Sequence, residues 1–127
     1  MLLTFLNNLA RRPFRWGECD CSLAIADWWQ LNHGADPAPW LRGAYVDEAG
    51  CAALLAAHGH LPRLMRRIAA EAGAARSTGD RPGDFAVIRL DSRWWGAIRT
   101  PSRRWAVKAH DGLCIISNCR VVAAWSI

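Results

Sequence analysis

Phe14-Arg15-Trp16-Gly17-Glu18-Cys19-Asp20-Cys21-Ser22, running straight into Leu23-Ala24-Ile25-Ala26-Asp27-Trp28-Trp29, is the stretch on which the reading of the fold turns. Asp20 is placed to cap a helix through its carboxylate. The apolar residues after it continue with helical spacing to about Asn32, and Gly34 supplies the stop. Cys21 then falls in the first turn, where unpaired backbone N–H groups and the helix dipole favour an anion. A thiolate is such an anion. In reactive sites this placement lowers a cysteine pKa from about 8.5 toward roughly 3.5 to 7.5, which makes Cys21 the candidate nucleophile. Free cysteine is also among the most buried residue types and often serves as a small hydrophobe, so the segment alone leaves both readings open.

Upstream, Leu2 to about Arg11 reads as an amphipathic helix closed by Pro13, which cannot continue it. Downstream, Gly34-Ala35-Asp36-Pro37-Ala38-Pro39-Trp40 is a loop by composition. Asp47 can cap a third helix reaching about Ala57, in which Ala53, Leu54 and Ala57 would give a small-residue face able to pack closely. A fourth helix, Leu61 to Ala72, places Leu61, Leu64, Met65, Ile68 and Ala69 on one side and Arg63, Arg66 and Arg67 mostly on the other. Ser77 to Gly83 is a turn-rich connection, after which the period changes. Phe85–Leu90, Trp94–Thr100, Arg104–Ala109, Leu113–Ser117 and Val121–Ser126 are short β-prone runs separated by Asp, Ser, Pro and Gly. Helices first and strands afterwards imply an α+β fold, with the helices on one face of an antiparallel sheet. A single domain over residues 1–127 is expected, mainly helical over 1–76 and sheet over 77–127.

The chain has 127 residues, enough for a core without disulfides or metals. Sixteen Lys and Arg against eleven Asp and Glu leave +5, which suits contact with anionic material without choosing one. The arginines are scattered, and they lack the glycine and aromatic interleaving of an RNA-recognition strand, so a nucleic-acid-binding module has no supporting motif. Five cysteines cannot all pair within one chain, which favours a reducing folding environment. No secretory signal and no apolar run long enough to cross a bilayer are visible. Cys19, Cys21, Cys114 and Cys119 lack the usual spacing of structural zinc ligands, so no metal is expected, and no cofactor either. His58 and His60 flank Gly59 at a helix end and read as an exposed loop pair. Eight tryptophans fit the helix–sheet boundary, and Trp40, in its proline loop, is the surface candidate together with Trp16.

Trp16-Gly17, then Asp20-Cys21-Ser22 and a bulky apolar residue, resembles the nucleophile segment of the NlpC-type cell-wall cysteine peptidases, a branch of the papain-like clan. The whole chain is similar to short proteins encoded among bacteriophage tail genes. That likeness rests on the Trp-Gly-x-x-Asp-Cys signature, Asp27-Trp28, the loop Gly34 to Pro37, the turn Arg42 to Tyr45, and Gly83-Asp84 entering a strand. The resemblance implies a base, a His two residues before a strand glycine. Here that glycine matches Gly96, and the His position holds Trp94, whose indole is a donor only. It implies a Tyr two residues before the Trp-Gly pair, where this chain has Phe14. His110 falls several residues from the position of the orienting polar residue and is the remaining candidate base; its alternative is a turn residue before Asp111-Gly112. His33 lies roughly 18 Å along the helix from Cys21 and is excluded.

The resemblance therefore implies a tail-tip structural protein on an NlpC-like scaffold that has lost its dyad, with Trp94 facing Cys21. Its partners would be hub, distal tail or tail-fibre components. It would be made in the host bacterial cytoplasm and reside in the virion tail tip. The alternative is an active peptidase that cuts peptidoglycan stem peptides, with Cys21 as nucleophile and His110 as base.

Overall fold

The computed structural model describes all 127 residues. Four helices come first: α1 (Leu2–Arg11), α2 (Cys21–His33), α3 (Glu48–Ala57) and α4 (His60–Ala72), with a 3-10 turn at Pro39–Leu41 between α2 and α3. Six strands follow: β1 (Arg76–Ser77), β2 (Phe85–Leu90), β3 (Arg93–Arg99), β4 (Trp105–Ala109), β5 (Gly112–Ile116) and β6 (Arg120–Trp125). They form one sheet in the order β1-β6-β2-β3-β4-β5, with every neighbouring pair antiparallel. The fold is α+β, and the five long strands lie within a residue or two of the runs read from the sequence.

The short strand β1 is a correction. Ser77 falls inside the connection read as turn, yet it pairs with Ala124, and Arg76 pairs with Trp125. Two residues carry no periodicity, and only the neighbouring β6 makes them a strand. A second correction concerns α3, the most alanine-rich helix, which buries none of its residues fully. Of the expected face, Leu54 packs on the core, joined by Leu55 and Cys51, whereas Ala53 and Ala57 face solvent. Asp47 caps this helix as expected, accepting from Gly50 N at 2.7 Å.

Alternation along the strands divides the sheet into two faces. Phe85, Val87, Ile98 and Ala106 face the helices and pack with Ile25, Trp28 and Trp29 of α2 and with Leu61, Met65 and Ala69 of α4. The opposite face gathers Ala86, Ile88, Ala97, Trp105, Val107 and Ala124 into a second buried cluster. Gly79 closes part of it, since a Cβ there would stand 3.1 Å from the Trp105 ring. Trp28, Trp29, Trp105 and Trp125 are buried, whereas Trp40 and Trp94 remain 38% and 37% exposed.

Polar anchors fix the helices to this sheet. Trp28 Nε1 donates to Gly83 O at 2.9 Å, joining α2 to the entry of β2. Lys108 of β4 is buried, and its ammonium donates to Leu9 O at 2.8 Å and to Arg12 O, at the C-terminal end of α1. Arg42 reaches Asp27 Oδ1 and Asp36 Oδ2, both at 2.7 Å, while Arg12 holds the other oxygen of Asp27 at 2.8 Å. The guanidinium thereby ties the loop after α2 back to the middle of that helix, and its contact holds the Asp36 carboxyl below its ordinary range despite the opposing cost of burial.

Candidate functional site around Cys21

Asp20 is the N-cap of α2, and its carboxylate is fully engaged. Oδ1 accepts from Leu23 N at 2.9 Å, and Oδ2 accepts from Gly17 N at 3.1 Å and from the Tyr45 hydroxyl at 2.5 Å. The cap thus also fastens the Trp16-Gly17 turn and the Arg42–Tyr45 turn to the helix start. Gly17 has φ of +78° and sits against the Tyr45 carbonyl, while its own carbonyl accepts from Gly43 N at 2.8 Å. Short, widely separated sequence signatures therefore converge on one joint.

Cys21 is the first residue of α2. Gly96 of β3 lies directly beneath it: a Cβ at that position would come within 2.8 Å of Cys21 O and 3.0 Å of Ile25 Cδ1. The glycine lets the first turn of the helix press onto the strand. Beyond Ile98↔Ala106 and Arg99↔Trp105 the ladder between β3 and β4 stops. Trp94 and Trp95 on one strand, and Lys108 and His110 beside the other, line a cavity of about 440 Å³ that also contains Cys21. This divergence makes room for a site at the end of the α2 helix.

The half-buried thiol in that site is held toward its protonated form. Burial, reinforced by the negative charge of Asp20, pushes Cys21 up from an ordinary 9.0 to about 12, although the Gly96 amide and the Ser22 hydroxyl act the other way. Here the expectation of a lowered pKa is corrected: the carboxylate that caps the helix occupies the N-terminal donor at Leu23 and puts a like charge beside the sulfur. The same burial and the same carboxylate raise Tyr45.

His110 is in the two-residue turn between Ala109 and Gly112. It lines the cavity, with its ring 4.2 Å from Phe14 and 5.7 Å from Trp16, centroid to centroid. Phe14, at the position where the resemblance implies a Tyr, thus supplies a ring surface against the imidazole and no hydroxyl. Trp16 contributes to the same aromatic wall, 4.9 Å from Phe14. Trp94 lines the cavity on the other side, its ring under Arg89 at 4.3 Å and 5.7 Å from His60. Trp40 is remote from this cavity: it stacks on His58 at 5.4 Å and carries Arg67 at 5.3 Å. Of His58 and His60, read as an exposed loop pair, His60 is exposed and lies beside Trp94, whereas His58 is half-buried against Trp40.

Sequence reading missed Tyr45 as the partner of Asp20, Cys51 as a second thiol on the cavity wall, and buried Lys108. Tyr45 stood within a quoted turn, but nothing in its spacing specified a carboxylate 25 residues upstream. No group of three or more His, Cys, Asp or Glu side chains could hold a metal ion.

A measurable consequence follows from the upward shift at Cys21. At pH 8, iodoacetamide should modify exposed Cys114 readily and Cys21 about a thousandfold more slowly than an ordinary thiol, in proportion to its thiolate fraction. The folded state favours the protonated form, so Cys21 adds stability below pH 9, which is lost as pH rises toward 12; Tyr45 shifts stability in the same direction. Mass-spectrometric labelling against pH checks this. Modification of Cys21 at the rate of Cys114 at pH 8 would contradict it.

The architecture and the site define an α+β domain in which a capped, cysteine-headed helix packs on one face of an antiparallel sheet. The chain belongs to the family described as Domain of unknown function (DUF6950), whose model matches residues 1–127. No curated protein and no solved structure matches it significantly.

Proposed function

We propose that this protein is a structural component of a bacteriophage tail tip, built on an NlpC-like scaffold whose cysteine site no longer hydrolyses peptides. The observation that carries the loss of activity is the lining of the Cys21 cavity, where Trp94 stands at the position of the family's base, while burial pushes the thiol up to about 12. A cysteine hydrolase needs a base within hydrogen-bond reach of the sulfur. The strand position from which the resemblance would bring that base holds Trp94, and the indole cannot accept a proton. The tail assignment rests on the sequence signatures, several of which meet at Asp20. Exposed Trp40 and Trp94, each carrying an arginine, supply surfaces suited to neighbouring hub, distal tail or tail-fibre subunits.

One observation favours the second reading, an active peptidase on peptidoglycan stem peptides: His110 lines the same cavity as Cys21. Two measurements separate the readings. Purified protein incubated with peptidoglycan fragments should release no more peptide than its Cys21→Ala variant. Co-expressed with the other tail proteins of a phage that encodes it, the protein should co-purify with them, and Trp40→Ala should weaken that association while Cys21→Ala leaves it intact. Cleavage abolished by Cys21→Ala and by His110→Ala would establish the peptidase instead.

A further inference from the structure

The two edges of the sheet are unlike. One is β1, only two residues long and begun by an arginine. The other is β5, Gly112-Leu113-Cys114-Ile115-Ile116, whose only strand partner is β4. β5 carries no charge and no proline, and the uncharged run extends to Cys119. Cys114 is exposed and Ile115 is 49% exposed. An edge strand turns the N–H and C=O groups of every second residue away from its partner. Edges left open are normally protected by charge, proline, a bulge or shortness. β1 is protected by shortness, whereas β5 has none of these protections.

We propose that β5 is a self-association edge at which two copies of this chain join their sheets, antiparallel, across a two-fold axis through Cys114. Three observations select a second copy as the occupant. The chain carries +5, so two copies repel as wholes, and the strand from Gly112 to Ile116 is a stretch along which no like charges meet. β1 is too short to receive β5, which excludes head-to-tail addition and leaves the closed, isologous arrangement. The strand is also self-complementary. The axis sets Cys114 opposite its own copy, Leu113 opposite Ile115, and Gly112 opposite Ile116, so apolar side chains meet apolar side chains along the full strand. The helix that packs beside β5 is α1, which meets it through Leu113.

A contact of this size falls below a standard stable interface, so dissociation in about the micromolar to tens of micromolar range is expected. Directly opposed residues of an antiparallel pair have Cα atoms about 4.5 to 5.5 Å apart, within the range that a disulfide spans. Under copper–phenanthroline and air, the two Cys114 thiols would lose two protons and two electrons to oxygen through the copper, forming one S–S bond between copies.

The test uses the full chain. Sedimentation of the reduced protein should show a concentration-dependent dimer, and Ile115→Lys, a change at an exposed position, should raise the dissociation constant at least tenfold. Brief oxidation should give a covalent dimer linked through Cys114, lost in Cys114→Ser but retained in Cys119→Ser. Circular dichroism confirms that each variant is folded, and Ile115→Thr, which keeps a β-branched side chain without charge, should retain the dimer. A monomer at every concentration up to several hundred micromolar would overturn the proposal. So would a dimer indifferent to Ile115→Lys, or a crosslink through another cysteine.

Discussion

Gly17→Ala is expected to be the most damaging small substitution in this chain, lowering stability by about 4 kcal/mol or preventing folding. Two costs combine. Alanine at φ of +78° is strained by about 1 to 2 kcal/mol, and its Cβ would stand 2.0 Å from the Tyr45 carbonyl oxygen, a backbone atom that cannot rotate aside. Relief requires moving the Gly17 turn away from Tyr45, which loosens the Tyr45–Asp20 and Gly17–Asp20 hydrogen bonds and hence the cap of α2. Urea unfolding would measure the loss. Gly34→Ala is the control: its φ is also +78°, but no atom lies within 4 Å of the added carbon, so it should lose only the conformational part. Equal effects at the two positions would remove the argument for a convergence at Gly17.

Lys108→Met should cost about 3 kcal/mol and lower the melting temperature by about 10 °C. Methionine replaces the stem of the lysine without leaving a large void but cannot donate. The carbonyls of Leu9 and Arg12 lose the ammonium that serves them in a buried setting, and the favourable placement of a cation at the C-terminal end of α1 is lost as well. The defect is directional. Hydrogen exchange should accelerate across α1 and β4 before it does in β2 and β6, because Lys108 is the charged anchor between that helix and the sheet. A change below about 1 kcal/mol would mean that water replaces the ammonium at those carbonyls.

These two positions bracket the site. Gly17 fixes the N-terminal end of α2 from the loop side, and Lys108 fixes α1 against the strand that diverges from β3. Between them lies the cavity around Cys21. Damage at either position should therefore alter labelling of Cys21 even though neither residue is called on for chemistry.

The sequence by itself determined the elements whose signals are local. α2 was legible because Asp20, the apolar run and Gly34 are all within one helix length, and a cap, a periodicity and a left-handed stop act over single turns. The five long strands were legible because their β-prone runs and the Asp, Ser, Pro and Gly residues between them are likewise local. Tertiary structure decided β1, which exists only because β6 offers it a partner, and the exposure of the alanine face of α3, because hydrophobicity records what can be buried and not what a neighbour covers. It also decided the state of Cys21. Position at a helix start argued for a thiolate, but the pKa of a thiol depends on everything within several ångströms. Here that surrounding is the packing around the helix start and a carboxylate already used as a cap. None of those distances is written in the spacing of residues along the chain, since each joins segments brought together by packing alone.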